Sequence, residues 1–288
     1  MPVISARVGD VRVTRVCEGD PDRLPIEVFS GAAAAAFARH REWMPPQWFD
    51  TDGTPLMPVS AWVLETAGRT VLVDACAGTW PTPREPGGQS SDFLDRLAEA
   101  GFTPADIDVV VSTHLHFDHV GWNTRPRPDG CPVATFPNAT YLFGDVEWRS
   151  ESSTPLYGTP SVTSLDYAVR PLLESGQGQL IDSEHRIVRE IGVLSAPGHT
   201  PGHLCVTIAS GDETAVITGD VAHNPVQLAA PEIGSVFDVD GDLAIQTRAS
   251  LIQSWTQRGT LILGTHFPGR GIGTLEPFED TVKFVESR

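Results

Sequence analysis

Residues 113–119 read Thr-His-Leu-His-Phe-Asp-His and come directly after an apolar run containing Ile107, Val109, Val110 and Val111. A short, predominantly apolar run of this kind is read as a buried strand, which places the polar run at a strand end. Imidazoles and a carboxylate crowded there need hydrogen bonds, protons or a metal ion to offset their desolvation. A divalent ion satisfies all of them. Neutral imidazole and carboxylate are borderline ligands suited to zinc, with manganese, cobalt and ferrous iron as alternatives. A polar loop rich in His by chance would explain this run alone, but not the segments downstream.

Three further segments repeat the arrangement. His199 follows Pro197 and Gly198, Asp220 follows Ile217 to Gly219, and His266 follows Leu263 to Thr265. Each sits just past an apolar stretch, and loops at strand ends are where a layered sheet places its chemistry. Strands are expected over residues 8–16, 60–66, 70–74, 141–143, 187–194, 203–208, 214–218 and 260–263, with Asp74 at the end of its strand. Helices are expected over 91–100, 162–173 and 243–257, the last with a stripe of Ile245, Ala249, Ile252 and Trp255. Alternating strands and helices with no linker favour a single α/β domain layered αββα over two independent domains. Residues 18–58 break the pattern with several Pro, an Ala run and Trp43, Trp48 and Phe49. Too apolar for a linker, this excursion is expected over the site, in a subunit interface, or packed in the core.

Composition narrows the function classes. A net charge of −17 over 288 residues argues against nucleic acid and anionic membrane surfaces as partners. The chain has no apolar stretch of about 18 residues, and residues 1–13 lack the character of a signal peptide. Cys17, Cys76, Cys131 and Cys205 form no Cys-x-x-Cys pair. They read as reduced thiols of a cytoplasmic protein.

With these residues in view, the chain resembles the metallo-β-lactamase superfamily from about residue 59 to its end, carried by His114, His116, Asp118, His119, His199, Asp220 and His266. The resemblance implies the αββα four-layer sandwich and a dinuclear centre. His114, His116 and His199 would hold one metal, Asp118, His119 and His266 the second, and Asp220 would bridge them. Asp74 is similar to the acid that orients a ligand imidazole in this family. An aspartate at the bridging position argues against a true β-lactamase. The stretches 219–227, 237–240 and 266–269 resemble the lactonase and methyl parathion hydrolase branch, more nearly the latter. Where many acyl-homoserine lactonases carry a Tyr shortly after the bridging Asp, this chain has His223.

The chemistry expected of such a site is hydrolysis. Two divalent ions and two carboxylates leave a local charge of about +2, attractive to an electron-rich oxygen. A hydroxide held between the ions would attack a carbonyl or phosphoryl centre. Asp118 is expected to move protons and His223 to donate to the substrate oxygen. Phe117, Trp122 and Phe267, with Trp43 and Trp48, are candidates to line an apolar pocket or simply to pack. The expected substrate is a small, neutral, moderately apolar ester, lactone or phosphotriester. Alternatives are an acyl-homoserine lactonase, a thioesterase, β-lactamase-like activity, or an iron-dependent oxidoreductase of the persulfide dioxygenase kind on the same fold. A homodimer is expected from the 43–49 aromatic segment and the branch resemblance.

Overall fold

The computed structural model describes residues 3–66, 68–80, 90–153 and 164–287, without the side chains of 151–153. The chain divides into two compact units, Met1–Gly19 with Val59–His185, and Asp20–Pro58 with Arg186–Arg288.

The first unit is built on a seven-stranded sheet in the spatial order Ile4–Val8, Val11–Arg23, Leu56–Thr66, Arg69–Val73, Val109–Val111, Thr140–Gly144 and Gly178–Ile181. Arg69–Val73, Val109–Val111 and Thr140–Gly144 run parallel, with Val73 opposite Val111 and Val111 opposite Leu142. Parallel neighbours deliver their carboxyl ends to one edge of the sheet. This register brings Asp74 beside the start of the 113–119 run, and the Asp74 N–H donates to the Val111 carbonyl at 2.9 Å. The helix Phe93–Glu99 between the first two of these strands buries Phe93 and Leu97 against Leu72, Val110 and Tyr141.

The second unit carries a six-stranded sheet ordered Ile191–Ser195, Leu204–Ser210, Glu213–Ile217, Leu261–Leu263, Ile272–Phe278 and Thr281–Glu286. All its pairs are antiparallel except Glu213–Ile217 with Leu261–Leu263. The helix Gly241–Arg258 makes that one crossover. Asp240 caps it by accepting from the Leu243 N–H, and it stops at Gly259, whose φ of 61° suits a residue without Cβ.

Leu24, Phe29, Phe37, Trp48 and Met57 are buried with Val226, Ile262 and Phe284 in one hydrophobic cluster. From Leu24 onward, the 18–58 excursion therefore supplies core to the second unit. Two differences from the sequence reading have local causes. Of the 162–173 helix, residues 162–163 lie outside the described residues, and the rest is two pieces, Ser164–Ala168 and Arg170–Glu174, broken at Val169. Pro171 has no N–H with which to continue the first piece. The terminal hairpin Ile272–Glu286 is not among the expected strands, because Gly273 and Pro277 interrupt its pattern. Among the described residues, no helix is long and apolar enough to cross a membrane.

Candidate metal centre

In the first unit the candidate ligands occupy the turn after Val109–Val111 and the short helix Phe117–Val120. The buried carboxylate of Asp74 accepts from the Thr113 N–H at 2.8 Å, the Thr113 hydroxyl at 3.0 Å and His119 Nδ1 at 2.9 Å. Since a carboxylate accepts, His119 carries its hydrogen on Nδ1 and turns the lone pair of Nε2 away from Asp74. The His114 ring lies 4.4 Å from that of His116 and 4.1 Å from that of His119, between centroids. Between the candidate ligands His114 and His116, the Leu115 N–H donates to Glu147 Oε1 at 3.2 Å and its carbonyl accepts from the Ser164 hydroxyl at 3.0 Å. The turn is thus held at its middle, leaving the imidazoles on either side aimed by the backbone.

The short helix is tied to residues 75–78. Ala75 donates to the His119 carbonyl, Gly121 to that of Cys76 and Trp122 to that of Ala75, at 2.7–2.8 Å. Glu18 completes the clasp. Its half-buried carboxylate accepts from the Ala77 N–H at 2.7 Å, the Gly78 N–H at 3.2 Å, Trp122 Nε1 at 2.8 Å and the Ser91 hydroxyl. Burial pushes the Glu18 carboxyl above its ordinary range, against the pull of these four donors.

In the second unit Asp220 sits in the turn after Glu213–Ile217, and its N–H donates to His203 Nε2 at 2.9 Å. Three imidazoles converge on its carboxylate. Nε2 of His199 and of His223 lie 3.2 Å from Oδ2, and Nε2 of His266 lies 3.1 Å from Oδ1. The outer nitrogens of His199 and His266 are already engaged: His199 Nδ1–H donates to Asp238 Oδ1 at 3.0 Å and His266 Nδ1–H to the Pro58 carbonyl at 2.9 Å.

This arrangement tests whether the residues suit a metal. With hydrogen on Nδ1, a neutral His199 or His266 turns a lone pair toward a carboxylate oxygen at 3.1–3.2 Å. Only a proton or a cation between them relieves that repulsion. Ligand atoms about 2.0–2.2 Å from one zinc ion stand about 3 Å apart, so the spacing suits a shared divalent ion. The protons respond to the same field. Burial opposes the His199 imidazolium, but the carboxylates of Asp220 and Asp238 overcome it and raise its pKa to about 9. Burial dominates at His223 and lowers its pKa, with Asp220 opposing.

His114, His116, Asp118 and His119 of the first unit, and His199, Asp220 and His266 of the second, are the described side chains that group into sets able to hold a metal ion. All seven are the candidates that the sequence singles out. His223 is buried, its ring nearly parallel to that of His266 at 5.8 Å and its N–H held by Gln227 Oε1. Of the aromatic candidates, Trp48 and Phe267 are buried against Phe284. Trp122 packs near Phe93 with its N–H on Glu18, Trp43 is half-buried on His40, and Phe117 is half-buried. Sequence reading did not single out Glu18, Glu147, His203 or Arg248 as site residues, and met Asp238 only within a resemblance. No local pattern marks them, because each holds a segment distant in the sequence.

The comparisons with known proteins agree with this geometry. The family model described as metallo-beta-lactamase superfamily matches residues 54–266. Curated relatives include an N-acyl homoserine lactonase of Bacillus sp, 27% identical over 40% of this chain and 38% of the relative. Another is N-acyl homoserine lactonase AttM of Rhizobium radiobacter, 24% identical over 51% of this chain and 52% of the relative. The matched part of the chain thus spans about half or less of these relatives' length. Two solved structures share the fold along nearly the whole chain. The hydrolase AbOPH in the beta lactamase superfamily has a TM-score of 0.81 at 22% identity, covering 99% of this chain and 97% of that one. The dizinc quorum-quenching lactonase AidC, bound to its product, has a TM-score of 0.80 at 19% identity, with the same coverage. A family model spanning most of the chain, over a metallo-β-lactamase fold with a His and Asp metal site, makes this chain a member of the metallo-β-lactamase superfamily.

Proposed function

We propose that the chain is a hydrolase dependent on two divalent metal ions, zinc by preference, acting on a small, neutral, moderately apolar ester, lactone or phosphotriester. His114, His116 and His199 hold one ion, Asp118, His119 and His266 the other, and Asp220 is shared. The observation that carries this reading is the convergence of three imidazole Nε2 atoms on Asp220, with the outer nitrogens of two of them already engaged. When bound, such ions lower the pKa of coordinated water and polarise a carbonyl or phosphoryl oxygen.

The protein's own residues supply the rest. Asp118 is the most exposed of the grouped carboxylates, its side chain 16% accessible against 5% for Asp220, which suits a group that passes protons between the reacting oxygen and solvent. His223 is held neutral by its burial and offers an N–H to the substrate oxygen. The lactonase relatives support a lactone or ester over a β-lactam. A family match running unbroken through both units supports their action as one hydrolase domain.

The test is acid release by the zinc-loaded protein in a pH-stat, against an aryl ester, aliphatic and aromatic lactones, a phosphotriester, a thioester and a β-lactam. Turnover of esters, lactones or phosphotriesters that disappears in Asp118→Asn is the expected result. Silence across the panel from protein carrying both ions overturns the proposal.

A further inference from the structure

We propose that Asp238 and Arg248 are positioning residues for the second unit's metal ligands, acting on His199 through its outer nitrogen and on Asp220 through the carbonyl of the next residue, Val221. The inference rests on the reading above that His199 and Asp220 hold metal.

The first observation is where Arg248 lies. The buried line of the helix Gly241–Arg258 runs Ala244, Arg248, Ile252 and Trp255, so a guanidinium occupies a core position. Taking such a charge out of water costs several kcal/mol unless its donors and its charge are matched. Here they are spent on one stretch of backbone. Nε donates to the Val221 carbonyl at 2.6 Å, and Nη1 to the carbonyls of Pro231 and Ile233 at 2.9 and 2.6 Å. Nη2 stands 3.8 Å from Asp238 Oδ2, beyond hydrogen-bond range but close enough for the two buried charges to compensate each other. Arg248 therefore joins the residue after Asp220 to the loop that leads to Asp238.

The second observation is what that loop grips. Asp238 accepts from the Ser235 N–H at 2.8 Å with one oxygen and from His199 Nδ1–H at 3.0 Å with the other. The backbone doubles the hold, with the Val239 N–H donating to the His199 carbonyl and the Asp240 N–H to that of Gly198, each at 3.0 Å. Both the ring and the main chain of His199 are thus set from residues 238–240. A ligand histidine whose second nitrogen is fixed by a carboxylate is held in one tautomer and one orientation. Lysine cannot replace Arg248, because an ammonium on a flexible stem does not span carbonyls that a planar fork reaches together.

The two units now have matching parts. Asp74 holds His119 in the first and Asp238 holds His199 in the second, and the two histidines are assigned to different ions. The two acids should therefore be separable, each governing one metal.

The experiment is cobalt titration of the metal-free full chain, followed by visible absorption and by competition with a chromophoric chelator, for wild type, Asp238→Asn, Arg248→Lys and Asp74→Asn. In Asp238→Asn, one of the two binding steps is expected to weaken by about ten- to a hundredfold with a changed cobalt spectrum, the other step keeping its affinity, whereas Arg248→Lys, which also loosens the shared Asp220, is expected to weaken both steps with a changed spectrum. Asp74→Asn is expected to weaken the opposite step. Folded Asp238→Asn and Arg248→Lys with both steps and the spectrum as in wild type, and only a lower melting temperature, overturn the proposal. Should either variant fail to fold, the long-range proton–nitrogen NMR spectrum of the zinc-loaded wild type decides. Hydrogen on His199 Nδ1 supports the assignment, and hydrogen on Nε2 overturns it. A wild-type chain that takes up no cobalt defeats the underlying metal reading instead, and that failure is visible before any variant is made.

Discussion

The Nδ1–H of His266 donates to the carbonyl oxygen of Pro58 at 2.9 Å, across 208 positions of sequence, and this leaves Nε2 of the same ring 3.1 Å from Asp220 Oδ1. A backbone carbonyl can only accept, so the start of the strand Leu56–Thr66 decides which nitrogen His266 presents. His266→Ala removes that nitrogen without touching a strand. Zinc content measured by mass spectrometry on the dialysed protein is expected to drop by one ion per chain, with the circular dichroism of the wild type retained. An unchanged zinc content would show that His266 is not a ligand.

Asp74 combines a left-handed backbone, at φ 61°, with a buried carboxylate serving Thr113 and His119. Asp74→Ala leaves these donors without their acceptor and keeps the backbone strain, a loss of about 3 kcal/mol. Asp74→Asn tolerates the left-handed conformation and keeps one acceptor oxygen, so it is expected to cost about half as much. Urea unfolding of the metal-free proteins measures both, and equal stability of the two variants would contradict the account.

Gly121 and Gly53 separate two reasons for glycine. A Cβ on Gly121 would lie 1.9 Å from the Ala77 carbonyl oxygen, whereas one on Gly53 meets nothing within 4 Å and faces only its φ of +86°. Backbone cannot give way as a side chain tip can, so Gly121→Ala is expected to cost more than about 3 kcal/mol or prevent folding. Gly53→Ala pays only the conformational strain, about 1–2 kcal/mol. Thermal unfolding of the pair checks the order, which a milder loss at Gly121 would reverse.

Glu18 gives the pH dependence. Because burial raises its folded pKa above the ordinary 4.5, its contribution is fully present below that value and is lost as pH rises through the folded value. Glu18→Gln has no such titration. The stability of wild type relative to Glu18→Gln is therefore expected to decline as pH rises above 4.5, measured by urea midpoints in matched buffers. A difference that grows over this range would mean that the four donors outweigh burial.

The seven grouped His and Asp residues were legible because strand-end polar runs after apolar stretches are local patterns, each readable within about ten residues. The long helix was legible from its period, but its buried line was not. The apolar stripe placed Ala249 on the buried face, while the structure exposes Ala249 and buries Arg248. No periodicity argument puts a guanidinium in a core, since its presence depends on three carbonyls supplied from residues 221–233. Glu147 and His203 were missed for the same reason, each holding a backbone N–H of another segment.

Sequence alone thus determined the donor types, their order along the chain and the strands that end in them, because ligand chemistry and apolar patterning are written in neighbouring residues. Tertiary structure decided how several of those donors are aimed. Which nitrogen His119, His199 and His266 present is set by Asp74, Asp238 and Pro58, residues 45, 39 and 208 positions away. An imidazole has two nearly equivalent nitrogens, and the choice between them is made by the partner that folding brings to the far side of the ring.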